Sequence, residues 1–422
     1  MGKKIGTKFL SKLVLAFFFL SLNSANIFCG LLQNITPKEP EVIDWDKIKR
    51  AYINFLACPM DEGGTKLFLA SLPEAKRPEE RGNKKGFIDL MFGYFIGSDT
   101  ILWNEIRAGN RPATEAAFRL LSLLDDENLD SFKEVLSHLI RLKPEMFIEF
   151  CNKYRDSSYI KQNGYPVDFF MESYRLVPGA QLYELEKRIE VLNLVKETPY
   201  EEVKRDCIAK LHDKILRIKG DARLREESLQ IVSEINEAAE KAGLGDKRIL
   251  ESFVNLVQYP SPGNGRSFIE AITDKSAGAE PRGLGKFCGF IVMDSPAYSM
   301  IYYEAMARNE WAARAMLQFL KYSDGGMAEM LEGDLSNLIR FAPETFLSAY
   351  KKEKDLLSEY IKDNLIGYPA LEYWEGLPDL PLPPGYTDRI YECLVNDMIK
   401  KLEEVENPEL KDIRDYCLER LR

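Results

Sequence analysis

From Trp45 onward the apolar positions fall at helical spacing. The sharpest stretch is Phe132, Val135, Leu136, Leu139 and Ile140, at i, i+3, i+4, i+7 and i+8, which is one face of an α-helix. Arg141 follows in its last turn, where the helix dipole favours a cation. Pro144 suits the first position of a new helix, because it lacks the N–H that would be unpaired there. Glu145 then brings an anion to the first turn. The pattern predicts a helical hairpin with its corner between Arg141 and Pro144.

The hairpin returns. LSHLIRLKPEMF at Leu136–Phe147 reappears as LSNLIRFAPETF at Leu335–Phe346, with eight of twelve positions identical and an offset of 199 residues. Arg340, Pro343 and Glu344 repeat the corner. Other markers follow in the same order. Tyr52, Asn54 and Pro59 answer to Phe253, Asn255 and Pro260, and Trp103, Glu105, Ala108 and Asn110 to Tyr302, Glu304, Ala307 and Asn309. IKQNGYP at Ile160–Pro166 answers to IKDNLIGYP at Ile361–Pro369, and Glu197-Thr198-Pro199 to Glu406-Asn407-Pro408. No shorter period of the solenoid kind is evident.

The apolar pattern predicts further helices at Thr100–Ala108, Pro112–Leu124, Asn128–Leu142, Pro144–Tyr154, Gln181–Val195 and Pro199–Ile218. Phe87–Ile96 is almost wholly apolar and reads as a buried helix, too short for a bilayer. Asp221–Ala242 is a long amphipathic helix with no counterpart in the repeat. Strand signals are few. The expected fold is all-α: two tandem, internally duplicated helical units, superhelix-like or bundle-like, at 45–218 and 246–422, joined by a connector helix in 219–245. Residues 30–44 read as a tether with two prolines.

Composition narrows the function. The chain has 422 residues, enough for two domains, and is 45% hydrophobic and 29% charged, which excludes disorder and a multi-span membrane protein. The formal charge is −10, and residues 1–30 hold Lys3, Lys4, Lys8 and Lys12 and no acid, leaving a body of 53 basic against 67 acidic side chains. So acidic a body gives no support for nucleic-acid binding, which normally needs a basic face.

The four lysines precede the apolar run Leu13–Leu22, so residues 1–29 read as a secretory signal peptide, with no membrane-spanning segment left in the mature chain. Cys29-Gly30 resembles the acylated cysteine of bacterial lipoproteins, with Phe28 where that pattern has a small residue. The resemblance implies lipidation at Cys29 as the alternative to simple export, hence a periplasmic or extracellular protein or a membrane-anchored lipoprotein.

Six further cysteines, Cys58, Cys151, Cys207, Cys288, Cys393 and Cys417, allow 15 disulfide pairings in an exported chain. Cys58 and Cys151 align with Tyr259 and Tyr350 of the repeat, which points to packing positions. There is no CxxC.

Candidate chemistry is sparse. The two histidines, His138 and His212, leave little for a metal site or a Ser-His-Asp triad. HExxH, GxSxG and Walker A motifs are absent. Glu105 and Glu304 are matched carboxylates that could serve as acid and base across two pseudo-symmetric halves, as in glycosidases, or could be solvated or ion-paired helix residues. Arg141 with Arg340, and Glu145 with Glu344, could meet a ligand, but dipole complementarity already accounts for their places. The glycine loops Asp61–Thr65 and Ser261–Gly265 could hold an anion on backbone N–H groups or be plain interhelical turns. Gly283-Leu284-Gly285 fails as a dinucleotide fingerprint, since no strand precedes it. Leu377–Pro384, LPDLPLPP, reads as a stiffened surface loop. No catalytic, cofactor-binding or metal-binding residue is assigned. The expected function is non-enzymatic protein–protein interaction in the cell envelope or outside the cell. The alternatives are a ligand- or glycan-binding module in the inter-unit groove and a carboxylate-based polysaccharide hydrolase or lyase.

Overall fold

Among the described residues, helix forms over most of each stretch whose apolar period is helical. The computed structural model describes residues 42–73, 79–92, 99–124, 129–170, 174, 177–196, 199–221, 223–274, 283–295, 297–323, 325–357, 365–366 and 386–422. The signal peptide, Cys29, most of the 30–44 tether and the proline-rich loop at 377–384 lie outside the described residues.

The fold is all-α, 81% helical. Strand β1 (Val42–Asp44) leads into α1 (Trp45–Ala57) and α2 (Glu62–Ser71); β2 (Glu79–Arg81) precedes α3 (Lys84–Phe92), α4 (Asp99–Ala108) and α5 (Arg111–Leu120). Then come α6 (Leu129–Leu142), α7 (Pro144–Lys153), α8 (Ser158–Asn163), α9 (Pro178–Leu194), α10 (Glu201–Gly220) and α11 (Arg223–Ala242). The remainder is α12 (Lys247–Gln258), α13 (Pro262–Thr273), α14 (Leu284–Met293), α15 (Ala297–Met306), α16 (Glu310–Lys321), α17 (Gly325–Phe341), α18 (Pro343–Glu353), α19 (Tyr386–Glu403) and α20 (Lys411–Leu421), with short 3₁₀ turns at Lys354–Leu356 and Pro408–Leu410.

The two strands are a departure from the pattern. β1 pairs in parallel with β2, and the Arg81 guanidinium holds Asp44 Oδ2 at 2.7 Å. Each strand is three residues long, and β2 reads EER, so neither carries an alternation that could announce it.

Residues 42–422 form one compact body with a continuous apolar core. At one end Tyr52 stacks near Phe55 and Phe68, with Phe87 edge-on at 5.7 Å. At the other Phe253 packs on Phe268 and Phe287. Each such side chain, once fully buried, contributes roughly 1.5–3 kcal/mol. Helices far apart in sequence touch: α4 lies against α17, α9 against α12, and α1 against α19. Gly179 permits the second of these contacts, since a Cβ there would lie 2.2 Å from the Gln258 carbonyl oxygen.

Cys58, which caps α1, is disulfide-bonded to Cys393 on α19, with 6.3 Å between the Cα atoms. The packing role expected of Cys58 is therefore corrected. Cys151, Cys207, Cys288 and Cys417 are buried thiols.

The hairpin corner forms as its residues require. A single residue, Lys143, separates α6 from α7, with φ −147° and ψ 64°; Ala342 separates α17 from α18 with φ −145° and ψ 62°. Pro144 and Pro343 open the second helix of each hairpin. Ser137 Oγ donates to the Pro166 carbonyl at 2.6 Å, and Ser336 Oγ to that of Leu365 at 2.7 Å.

Candidate functional site

The helix faces that carry Arg141, Arg340, Glu105 and Glu304 converge in the interior. Arg141 is placed by the last turn of α6. It reaches α15 to hold Glu304 through both guanidinium nitrogens, at 2.7 and 3.2 Å, and α9 to hold Glu184 at 2.7 Å. Arg340, in the last turn of α17, reaches α4 to hold Glu105 at 2.6 Å and α19 to hold Asp397 at 2.7 Å. Each matched arginine therefore meets the matched glutamate of the other stretch. Glu304 and Arg340 are 0% and 2% exposed, and Glu105 is 2% exposed.

The pairs are extended by neutral donors. Tyr174 donates its hydroxyl to Glu304 and Tyr303 to Glu184, both at 2.8 Å. Asn309 donates its amide to Glu304 and Asn110 to Glu105. Arg188 completes the cluster, binding Glu184 at 2.8 Å and the Val167 and Phe169 carbonyls at 2.7 and 2.8 Å. Around Glu184 and Glu304 two cations thus face two anions, which is what keeps buried charge tolerable.

The electrostatics follow. Burial raises the Glu304 carboxyl above its ordinary range, Arg141 only partly offsetting it. Burial also acts on Glu184, but there Arg141 and Arg188 outweigh it and the carboxyl falls below the usual value. Burial disfavours charge on Arg141, yet Glu304 and Glu184 hold its guanidinium well above the ordinary value. The phenols of Tyr174 and Tyr303 are pushed up by burial, then by the neighbouring carboxylates.

His138 sits beside this cluster, its ring 4.3 Å from that of Tyr303. Burial, and then Arg107, Arg188 and Arg141, hold it well below its usual pKa, so it is neutral. Its Nδ1 has no hydrogen-bond partner. His212 is exposed on α10. Glu145 and Glu344 are exposed in first helical turns, where the dipole argument suffices.

Both glycine loops turn out to be helix. Asp61 caps α2, its carboxylate accepting from the N–H groups of Gly63 and Gly64 at 3.3 and 3.0 Å. Ser261 caps α13, accepting from Asn264 N–H. The chain's own side chains already occupy the donors an anion would need. Gly283 is the left-handed residue before α14, φ +82°.

A cavity of about 620 Å³ opens beside Arg340. Its wall takes Ala108 and Lys143 from the α4 and α7 ends, Arg308 from the end of α15, Lys401 from α19, and the start of α18. Lys143 and Arg308 make no ion pair among the described residues. Among the described residues no helix is long and apolar enough to cross a membrane, and no group of three His, Cys, Asp or Glu could hold a metal ion.

Comparison with known protein families, with curated proteins and with solved structures finds no match to this chain.

Sequence reasoning singled out Arg141, Arg340, Glu105, Glu304 and His138; the structure buries Arg141 and Glu304 in one cluster with His138 beside it, and Arg340 with Glu105 in a second. It missed Glu184, Arg188, Tyr174, Tyr303 and Asp397, and the cavity cations Lys143, Arg308 and Lys401. The usable signal was the pairing of opposite charges at matched positions.

Proposed function

We propose that this is a non-enzymatic, exported recognition protein: two copies of one helical unit fused into a single rigid body that binds another envelope or extracellular protein. The observation that carries the reading is the reciprocal exchange of ion pairs, Arg141 with Glu304 and Arg340 with Glu105. It engages the two carboxylates otherwise suited to acid–base work and closes both from solvent, so neither offers a face to a polymer chain. Internal duplication is supported by the repeated sequence, by the nearly identical backbone at Lys143 and Ala342, and by the Ser137 and Ser336 hydroxyl bonds to matched loops.

Export is supported by the basic, then apolar, N-terminal pattern and by the Cys58–Cys393 disulfide, a bond that persists in oxidising compartments. An acidic body suits a neutral or basic partner surface.

The test is crosslinking of the native protein in its own envelope fraction, with the captured chain then purified and titrated back. A stoichiometric, saturable complex with a protein partner supports the proposal. Turnover of a polysaccharide that disappears in Glu105→Gln with Glu304→Gln would overturn it.

A further inference from the structure

The cavity beside Arg340 holds a feature that neither the buried network nor the proposed partner surface uses. Three cations line it from three elements: Lys143 at the α6–α7 corner, Arg308 after α15, and Lys401 on α19. Lys401 has one weak local partner, Glu404 at 3.2 Å. Lys143 is half-buried and has no hydrogen-bond or ion-pair partner among the described residues; burial, then Arg308 and Lys401, hold its ammonium below the ordinary value, with Glu404 and Glu145 opposing them at longer range. Glu404 lines the same cavity and offsets part of this charge, but neither Lys143 nor Arg308 has a carboxylate in direct contact among the described residues, and an anion can take that place.

Arg308 makes the arrangement harder to dismiss. It is the sole non-glycine residue with positive φ among the described residues, at +69°. The turn it closes has Arg308 N–H bonded to Ala305 and Asn309 N–H to Glu304, both at 3.0 Å. The corresponding turn after α4 has the same bonds, Gly109 to Ile106 and Asn110 to Glu105, and there the left-handed residue is glycine, φ +89°. An arginine therefore stands where glycine is the unstrained choice. Its side chain is exposed and without an ion pair among the described residues.

Other wall charges limit what can enter. Arg340 is already occupied by Glu105 and Asp397, and Glu310 by Lys352 and Ser348. Glu344, Glu404 and Glu409 also line the wall, so a long polyanion would be repelled while a compact one can sit between the cations. The α18 N-terminus adds N–H donors, since its cap residue Ala342 provides no side-chain acceptor.

We propose that this cavity binds a small phosphate-bearing ligand, with Lys143, Arg308 and Lys401 on the phosphate oxygens. A guanidinium fork with two ammonium groups suits a tetrahedral dianion, and about 620 Å³ leaves room for a sugar-sized remainder.

The experiment titrates inorganic phosphate, glucose 6-phosphate and phosphatidic-acid vesicles into the full-length protein at matched ionic strength. Chloride and sulfate serve as controls, and binding is read by calorimetry and by the shift in melting temperature. Arg308→Gly is the informative variant, because glycine fits the backbone at that place and the fold is retained. Saturable phosphate binding that falls at least tenfold in Arg308→Gly and in Lys143→Met supports the site. The probe that binds most tightly tells a free phosphate or phosphomonoester from a lipid headgroup. Equal melting shifts with phosphate and chloride, equal affinity in wild type and Arg308→Gly, or no binding of any probe would overturn it.

Discussion

Removing the Arg141 guanidinium probes the buried network directly. In Arg141→Met, Glu184 keeps Arg188 and Tyr303, while Glu304 keeps Tyr174 and Asn309 but loses its cation. One buried carboxylate is left uncompensated, and breaking a buried pair in this way costs about 3–5 kcal/mol. The loss depends on pH in a definite sense. Glu304 already titrates above the 4.5 of an ordinary glutamate. Without Arg141 it rises further. The folded variant then binds more protons than the unfolded one, so its stability rises as pH falls from the folded pKa toward 4.5. Adding Glu304→Gln removes the lone charge, and the double variant should recover about 2 kcal/mol relative to the sum of the single losses. Urea unfolding followed by circular dichroism, at neutral and mildly acidic pH, measures all four corners of the cycle. Losses that add to within about 0.5 kcal/mol, or a deficit that does not shrink in acid, would refute the reasoning.

Glu332 offers a second pH test. It is 6% exposed, and burial, then Glu329, pushes its carboxyl up to about 7. Glu332→Gln should therefore stabilise the protein above that pH, by at most about 3 kcal/mol, with the gain vanishing as pH falls to the ordinary glutamate value; a constant gain across that window would exclude the assignment. Replacing Cys58 and Cys393 by serine opens a link spanning 335 residues and should lower stability by about 4 kcal/mol, measured against the oxidised parent in denaturant. Pro144→Gly and Pro343→Gly should each cost about 1 kcal/mol by loosening a corner. Because residues 42–422 share one core, both should shift the same single calorimetric transition; two separate transitions would contradict that.

What the sequence makes legible here is local. The α6–α7 and α17–α18 corners follow from apolar spacing, N1 proline and flanking charge, all within a dozen residues. The boundaries of α6 and α7 agree with the predicted ones to within a residue. The partners of Arg141 and Arg340 lie 163 and 235 residues away, where no periodicity reaches. The helix dipole accounted for both arginines well enough to hide their real contacts. The glycine loops were misplaced because Gly63-Gly64 and Gly263 sit in first helical turns, where a cap on the preceding residue overrides low propensity. The disulfide was hidden for a different reason. Cys58 aligns with Tyr259, which pointed to packing, and nothing near Cys393 marks it as a partner. Arg308 was within reach, since the alignment of Ala108 and Asn110 with Ala307 and Asn309 sets it opposite Gly109.

The reciprocity of the pairs bears on how such a chain could arise. If the two stretches are copies, each unit alone carries a buried glutamate whose cation belongs to the other, and a buried arginine left with one carboxylate of its own unit, Glu184 for Arg141 and Asp397 for Arg340. A unit spanning 45–218 would keep the Arg141–Glu184 pair but hold Glu105 with no Arg340, and Arg141 with no Glu304. Two such units related by a two-fold axis would satisfy both, since Arg141 of one copy would face Glu105 of the other, an isologous contact. The expected behaviour of the isolated 45–218 segment is therefore self-association, with Arg141→Met weakening the dimer through the same uncompensated charge. Sedimentation of that segment decides the point. A folded monomer at every concentration would mean that the buried charges can be satisfied within one unit, and the two-fold account of the network would fall.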